Sequence, residues 1–454
     1  MLELSPKPAA HVARRASQEN AVQDPILVVE PGERPALSSW GYDAPVPRVL
    51  LLLPTTSYRT SDFLAAASKL ELDVTVASEE ASTMERLNPS GLLKLDFADL
   101  AACADRVAAF SSKTPVAAVV GVDERTAVVA AAVAGRLGLL HNSVASVTAA
   151  GNKARMRQRL AEAGVRSPRH RLFRRDEGPR VGAGGVRYPC VLKPTFLSAS
   201  RGVIRADDPS EFVAAWERLA RILKDPAVAM RAGDAGTEVL VEDFVPGVEV
   251  ALEGLLMGGQ LRVLALFDKP DPLDGPFFEE TIYVTPSRLP PQVQAKCAGA
   301  AKAASRALGL TEGPIHAEMR VNQSGVSVIE IAARSIGGLC SRTLRFGTGM
   351  SLEELILRHA LALEIPSAER DAMAAGVMMI PILKAGVLQE VRGLAEAREV
   401  PGIEEVTISV HEGSQLVPLP EGDRYLGFIF SRAETPARAE AALRVAHARL
   451  EFRI

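Results

Sequence analysis

The run VLLLLP at 49–54 is apolar at every position. A strand with no polar face must be covered on both sides, and a parallel sheet flanked by helices does this. The neighbouring sequence keeps the pattern. SDFLAAASKLEL (61–72) has helical spacing and DVTVAS (73–78) reads as a second strand. A helix is expected over 97–111, a third strand in VAAVVGVD (116–123), and an alanine-rich helix over 126–137. These elements make a Rossmann-like layer. It has no GxGxxG, so no dinucleotide is assigned to it.

The whole chain of 454 residues exceeds one core. Residues 1–46 form an extension rich in proline and charge, with one apolar run, ILVV at 26–29, that would make an edge strand. The Rossmann-like layer occupies 47–147. A second unit runs from 148 to 365, with a smaller subdomain at about 170–245, and an α+β tail follows over 366–454. The fold class is therefore mixed, α/β followed by α+β. Within the second unit, NKARMRQRLAEAGV (152–165), residues 208–223, 291–310 and 351–363 read as helices. YPCVLKP and TEVLVEDFV read as strands, and residues 248–270 as a hairpin turning at Gly258-Gly259. The tail has three short strands, in VMMIPIL, VTISV and YLGFIF, and a helix at 436–449.

A formal net charge of −3 argues against a dedicated nucleic-acid binder. No Lys/Arg run exceeds two residues, so there is no polybasic membrane anchor. The opening MLELSPKPAAHVARR lacks a signal-peptide core, and the longest apolar stretch, at 126–140, contains Arg136. Cys103, Cys190, Cys297 and Cys340 have no metal-binding spacing. They read as reduced core thiols of a cytoplasmic protein.

The chemistry gathers in PIHAEMRVNQSGVSVIEIAAR (314–334), a hairpin turning at Asn322–Gly325. Strand side chains alternate faces, so His316, Glu318 and Arg320 share one face, as do Glu330, Ala332 and Arg334. Ala317, Met319, Val328, Ile329, Ile331 and Ala333 fall to the apolar face. Glu318 and Glu330 can come close, and two carboxylates on one face repel unless a cation bridges them or arginines pair with them. Hard oxygen ligands suit Mg²⁺. Lys193 ends the strand in VLKP, and Ser198, Ser200, Arg201 and Gly202 after it offer hydroxyls, a cation and an unhindered backbone to an anion. Lys153 is a second cation, and VEDFVPGVE brings Glu242 and Glu249 to a strand exit.

This order of motifs resembles the ATP-grasp superfamily of carboxylate–amine ligases over residues 48–450. Within it the chain looks most like the L-amino-acid (dipeptide) ligases and carnosine-synthase-like enzymes. The resemblance implies ATP and Mg²⁺ as cofactors, with Mn²⁺ as a substitute. It implies that Lys153 and Lys193 bind the α- and β-phosphates and that Ser198, Ser200, Arg201 and Gly202 close over the γ-phosphate. Glu242, Phe244 and Val245 would line the adenine site, and Glu249 would hold the ribose. Glu318 and Glu330 would hold Mg²⁺, and Arg334 would steady the transferred phosphoryl group or the substrate carboxylate. Lys193, Arg201 and Arg334 are thus the expected catalytic cations. One departure stands out: the superfamily usually has asparagine two residues after the second glutamate, where this chain has Ala332. That puts the second-metal geometry in doubt.

The resemblance also places an amino-acid pocket near 267–286. Lys269 would meet a carboxylate there and Glu279 or Glu280 an ammonium, each being otherwise a solvated loop charge. His316 would touch substrate or serve as a satisfied core histidine. Arg342 would bind a second carboxylate or pair locally. The implied reaction joins a small-molecule carboxylate to an amine through an acyl phosphate, releasing ADP and phosphate, in a homodimer by analogy. The competing readings are an ATP-grasp ligase or carboxylase for a non-amino-acid carboxylate, and a nucleotide-binding protein without turnover.

Overall fold

The computed structural model describes residues 46–55, 57–80, 88 and 90–454, and the strand expected at 26–29 lies outside them. Four parallel strands stand in the order Leu92–Lys94, Asp73–Ser78, Arg48–Leu52, Ala118–Gly121. Val49, Leu50, Leu51 and Leu52 are all buried, because both faces of the central strand are covered. On one side Leu50 and Leu52 join a cluster with Val107, Val129 and Val133 of the helices Leu100–Ser111 and Glu124–Leu137.

Helix starts differ from expectation where a cap overrides the apolar period. Asp99 accepts a hydrogen bond from the Ala102 amide at 2.9 Å, so that helix begins at Leu100, not 97. Asp123 and Thr126 form a reciprocal capping box, which starts the next helix at Glu124. A further helix, Val144–Gly151, begins after a Ser143 cap that the apolar period did not reveal.

Two larger antiparallel sheets follow, beside three two-stranded antiparallel ribbons among the described residues. The smaller has the order His170–Arg174, Glu238–Asp243, Cys190–Lys193, Ile204–Ala206. Helix Pro209–Lys224 covers one face of it through Phe212, Trp216, Leu219 and Leu223. The larger sheet has eight strands. The hairpin Gly313–Asn322 and Gly325–Ala332 forms one edge, next to Val248–Met257 and Gln260–Lys269. Ile282–Thr285 then leads to Ala374–Ile380, Gly427–Ala433 and Ile403–Ile408. The tail strands therefore extend the hairpin's own sheet. No helix among the described residues is long and apolar enough to cross a membrane.

Candidate active site

In the hairpin, Glu318 stands directly opposite Glu330, and His316 opposite Ala332. A bulge between Glu318 and Met319 makes Val328 the partner of Met319. Ile329 is the extra residue, and it therefore leaves the apolar face where alternation put it and lines the cavity with Glu330 and Ala332. Ala317, Met319, Val328 and Ile331 remain fully buried core. The cavity these carboxylates face has a volume of about 360 Å³.

Lys153 and Lys193 line the same cavity. The Lys153 ammonium donates to the Leu197 carbonyl at 2.8 Å and lies 3.2 Å from Glu330. Its backbone amide is tied to the Thr195 carbonyl at 2.7 Å, so the first turn of helix Lys153–Glu162 is clamped to the segment after Lys193. The Lys193 ammonium is 2.7 Å from Glu242, whose other oxygen is 2.6 Å from Arg157. Burial alone would raise the Glu242 pKa, but Arg157 and Lys193 hold it down at about 2. Glu242, expected to line an adenine site with Phe244 and Val245, lines the cavity while its carboxylate is committed to two protein cations. Phe244 and Val245 do line the cavity beside it.

The loop after Lys193 splits in two. Ser198, Ala199 and Ser200 line the cavity, and Ala199 and Ser200 hold φ angles of 53° and 54°, a region side chains rarely adopt. Arg201 and Gly202, expected to face an anion with them, are outside the cavity lining and contact the segment that carries Asp423, which lines it. Arg201 lies 3.4 Å from Asp423, and the Gly202 amide donates to the Pro420 carbonyl at 2.8 Å.

A second charged group sits under the hairpin. Lys269 ends the strand Gln260–Lys269 and is buried, so it is no solvated loop charge. Its ammonium is 2.8 Å from Glu249 and 3.2 Å from Glu318, and it also donates to Glu280. Oxygens of Glu249, Glu280 and Glu318 all lie within 4.8 Å of one another. Burial opposes the charge of Lys269, but these carboxylates outweigh it and hold the pKa well above the usual lysine value. Burial also raises Glu280, to about 7, with Lys269 opposing and Glu318 and Glu249 adding to the rise. Glu279 is outside the cavity lining.

His316 is buried, with Nδ1 2.9 Å from Glu253 and Nε2 3.5 Å from Glu318. Burial disfavours its cation, yet Glu253 and Glu318 raise its pKa to about 9. Arg334 lines the cavity and lies 2.7 Å from Glu124. Arg342 does not line it: the guanidinium is 2.9 Å from Asp62 and 2.8 Å from Glu405, the local pairing that was its alternative.

Sequence reasoning missed Glu253, Arg157, Glu124 and Arg59. Glu253 is fully buried, bonds His316 and accepts the Ile336 amide at 2.8 Å. Its signal was present, a lone carboxylate inside the apolar run VALEGLL. Arg59 comes from the loop after the first strand and donates to Ser335 and Ile336 beside Arg334. Nothing local marked it.

The antiparallel sheets, with lysines and paired glutamates facing one cavity, make an ATP-grasp fold. Residues 186–343 match the ATP-grasp domain model, and residues 378–454 match L-amino acid ligase C-terminal domain 2. The chain thus carries an ATP-grasp domain followed by an L-amino acid ligase C-terminal domain. It is 28% identical over 234 residues to the alanine–anticapsin ligase of Bacillus subtilis, covering 49% of each chain. The chain spans about half the length of curated relatives such as this one. The L-amino acid ligase structure from Bacillus licheniformis superposes with a TM-score of 0.73 at 24% identity, over 90% of this chain and 98% of that one. A Hydrogenobacter thermophilus biotin carboxylase domain, solved with MgADP, ADP and bicarbonate, superposes with a TM-score of 0.63 at 17% identity, over 89% and 90%. Both of these structural likenesses carry the fold.

Proposed function

We propose that the protein is an ATP-dependent carboxylate–amine ligase that uses an amino acid as substrate. One observation carries the reading: Glu318 and Glu330 stand opposite one another and line one cavity with Lys153 and Lys193. The similarity to an alanine–anticapsin ligase supports amide formation as the reaction.

Glu318 and Glu330 bring two hard carboxylates to one hairpin face, a donor set that suits a divalent cation. The neighbouring cluster of Glu249, Glu280 and Glu318 is already engaged by Lys269, by Arg320 at 2.7 Å from Glu249 and by His316 at 3.5 Å from Glu318. Glu318 and Glu330 would hold Mg²⁺, which when bound neutralises phosphate charge and orients phosphate oxygens. Mn²⁺, with similar oxygen preference, would substitute.

The chain's own residues then divide the work. Lys153 and Lys193 would hold phosphate oxygens of ATP, while Phe244 and Val245 would border the base. Arg334 would face the phosphoryl group in flight, kept cationic by Glu124. A substrate carboxylate oxygen attacks the γ-phosphorus, the bond to the β-phosphate oxygen breaks and ADP leaves. An amine nitrogen then attacks the acyl carbon, the bond to the phosphate oxygen breaks, and phosphate and a proton are released. Such transfers need positioning and charge neutralisation more than covalent help. Ser198–Ser200 would shield the acyl phosphate from water. The proposed division of labour follows 47–147, 148–365 and 366–454, and the four buried free thiols suit a reducing cytoplasm.

The test is phosphate release from ATP and Mg²⁺ with pairs of amino acids, with the product weighed by mass spectrometry. Release that requires two amino acids, with an amide product, is expected. Glu330→Gln should cut the rate by about 100-fold or more. ATP binding with no amide from any pair would sink the reading.

A further inference from the structure

The half of the cavity beyond Arg334 is built unlike the phosphate half. Phe428 is its hub. Met379 is the direct cross-strand neighbour of Phe428, and both line the cavity. The rings of Tyr58 and Tyr425 meet Phe428 edge-on, with centroids 5.9 Å and 6.1 Å away. Cys340 and Ile336 add apolar surface. Gly338 holds a φ of 60°, and a Cβ there would come within 3.0 Å of the Phe428 ring, so the backbone can pass against the ring without a side chain between them.

The charges at this end point the same way. Arg59 lines it, but its guanidinium is engaged by Ser335, the Ile336 carbonyl and Glu353. Glu280 and Asp423 also line the cavity. Glu280 is held by Lys269 and Asp423 lies 3.4 Å from Arg201, so a side-chain carboxylate brought here would meet charged groups that are already paired.

Resting on the ligase reading above, we infer that one of the two joined amino acids carries a large uncharged apolar side chain, preferentially aromatic, seated among Tyr58, Met379, Tyr425 and Phe428. Rings meeting edge-on already line the site, and a substrate ring can add to that arrangement. A small side chain would leave the wall unfilled, and an acidic one would find Arg59 already engaged by Glu353.

Amide formation should be compared across pairs that include phenylalanine, tyrosine, methionine or leucine and pairs drawn only from glycine, alanine, aspartate and glutamate. The first set should exceed the second by about 100-fold in kcat/KM. Equal rates in the two sets would overturn the inference and leave the ligase reading intact. Tyr58→Ala should raise KM for the apolar amino acid about tenfold and leave KM for ATP unchanged, and Tyr58→Phe should restore it. Calorimetry with Mg²⁺ and a non-hydrolysable ATP analogue separates the remaining outcomes. Phenylalanine binding without aspartate binding, in the absence of any amide, would keep the pocket and remove the ligase reading. Binding of neither would remove both.

Discussion

Glu242 shows how one buried carboxylate organises the Lys193 side of the cavity. It is the shared partner of Lys193 and Arg157, and neither cation is exposed enough to be satisfied by water. Its pKa is held below the ordinary glutamate value of 4.5, at about 2. A depressed folded-state pKa means that the stabilisation is present above pH 4.5 and is lost as the pH falls from there toward 2. We expect the wild-type melting temperature to drop across that window, and Glu242→Gln to flatten this part of the profile. The same variant should lose about 3 kcal/mol in urea unfolding at neutral pH, because it leaves two buried cations short of a partner.

Among the elements, the loop that follows Lys193 is latched by the tail. The Gly202 amide bonds Pro420, Arg201 approaches Asp423, and Arg218 grips Glu421 through two contacts of 2.7 and 2.8 Å. The segment 420–425 also supplies Asp423 and Tyr425 to the cavity. One stretch of chain thus touches both the loop and the apolar pocket. Arg218 and Glu421 are partly exposed, at 36% and 41% of their side chains, so breaking their pair should cost under about 1 kcal/mol in stability. Its effect should fall on shielding instead. Arg218→Ala and Glu421→Ala should each raise ATP hydrolysis in the absence of amine severalfold, measured as phosphate released per amide formed. An unchanged ratio would remove the latch from the mechanism.

Across the whole molecule, the parallel layer reaches the hairpin exit through Arg59. Its guanidinium contacts Glu353 at 2.5 Å, with both side chains buried, and it holds Ser335 and Ile336. Glu253 holds the Ile336 amide from the opposite side. The segment after Arg334 is therefore positioned by two distant parts of the chain. Burial works against the Glu353 charge, but Arg59 keeps its pKa below the usual range. Glu353→Ala should destabilise the fold by about 3–5 kcal/mol in chemical denaturation, since it strands a buried guanidinium. A loss under about 1 kcal/mol would show that water reaches the pair.

Residues 49–54 were legible as a covered strand because an all-apolar run has few other stable uses. The pairing of Glu318 with Glu330 was legible because strand alternation and a short turn restrict which residues can face each other. The bulge that turns Ile329 to the cavity was not, since alternation assumes an unbroken register. Lys269 read as a contact for a substrate carboxylate or else a loop charge, because no local pattern announces three protein carboxylates arriving from separate strands and loops. Arg342 looked available because its partners, Asp62 and Glu405, lie 280 and 63 residues away. The sequence alone determined which residue types could meet phosphate and metal, through periodicity that acts over a few residues. Only the tertiary structure decided which charges are already paired, because electrostatic partners depend on distances in space that span hundreds of residues in the chain.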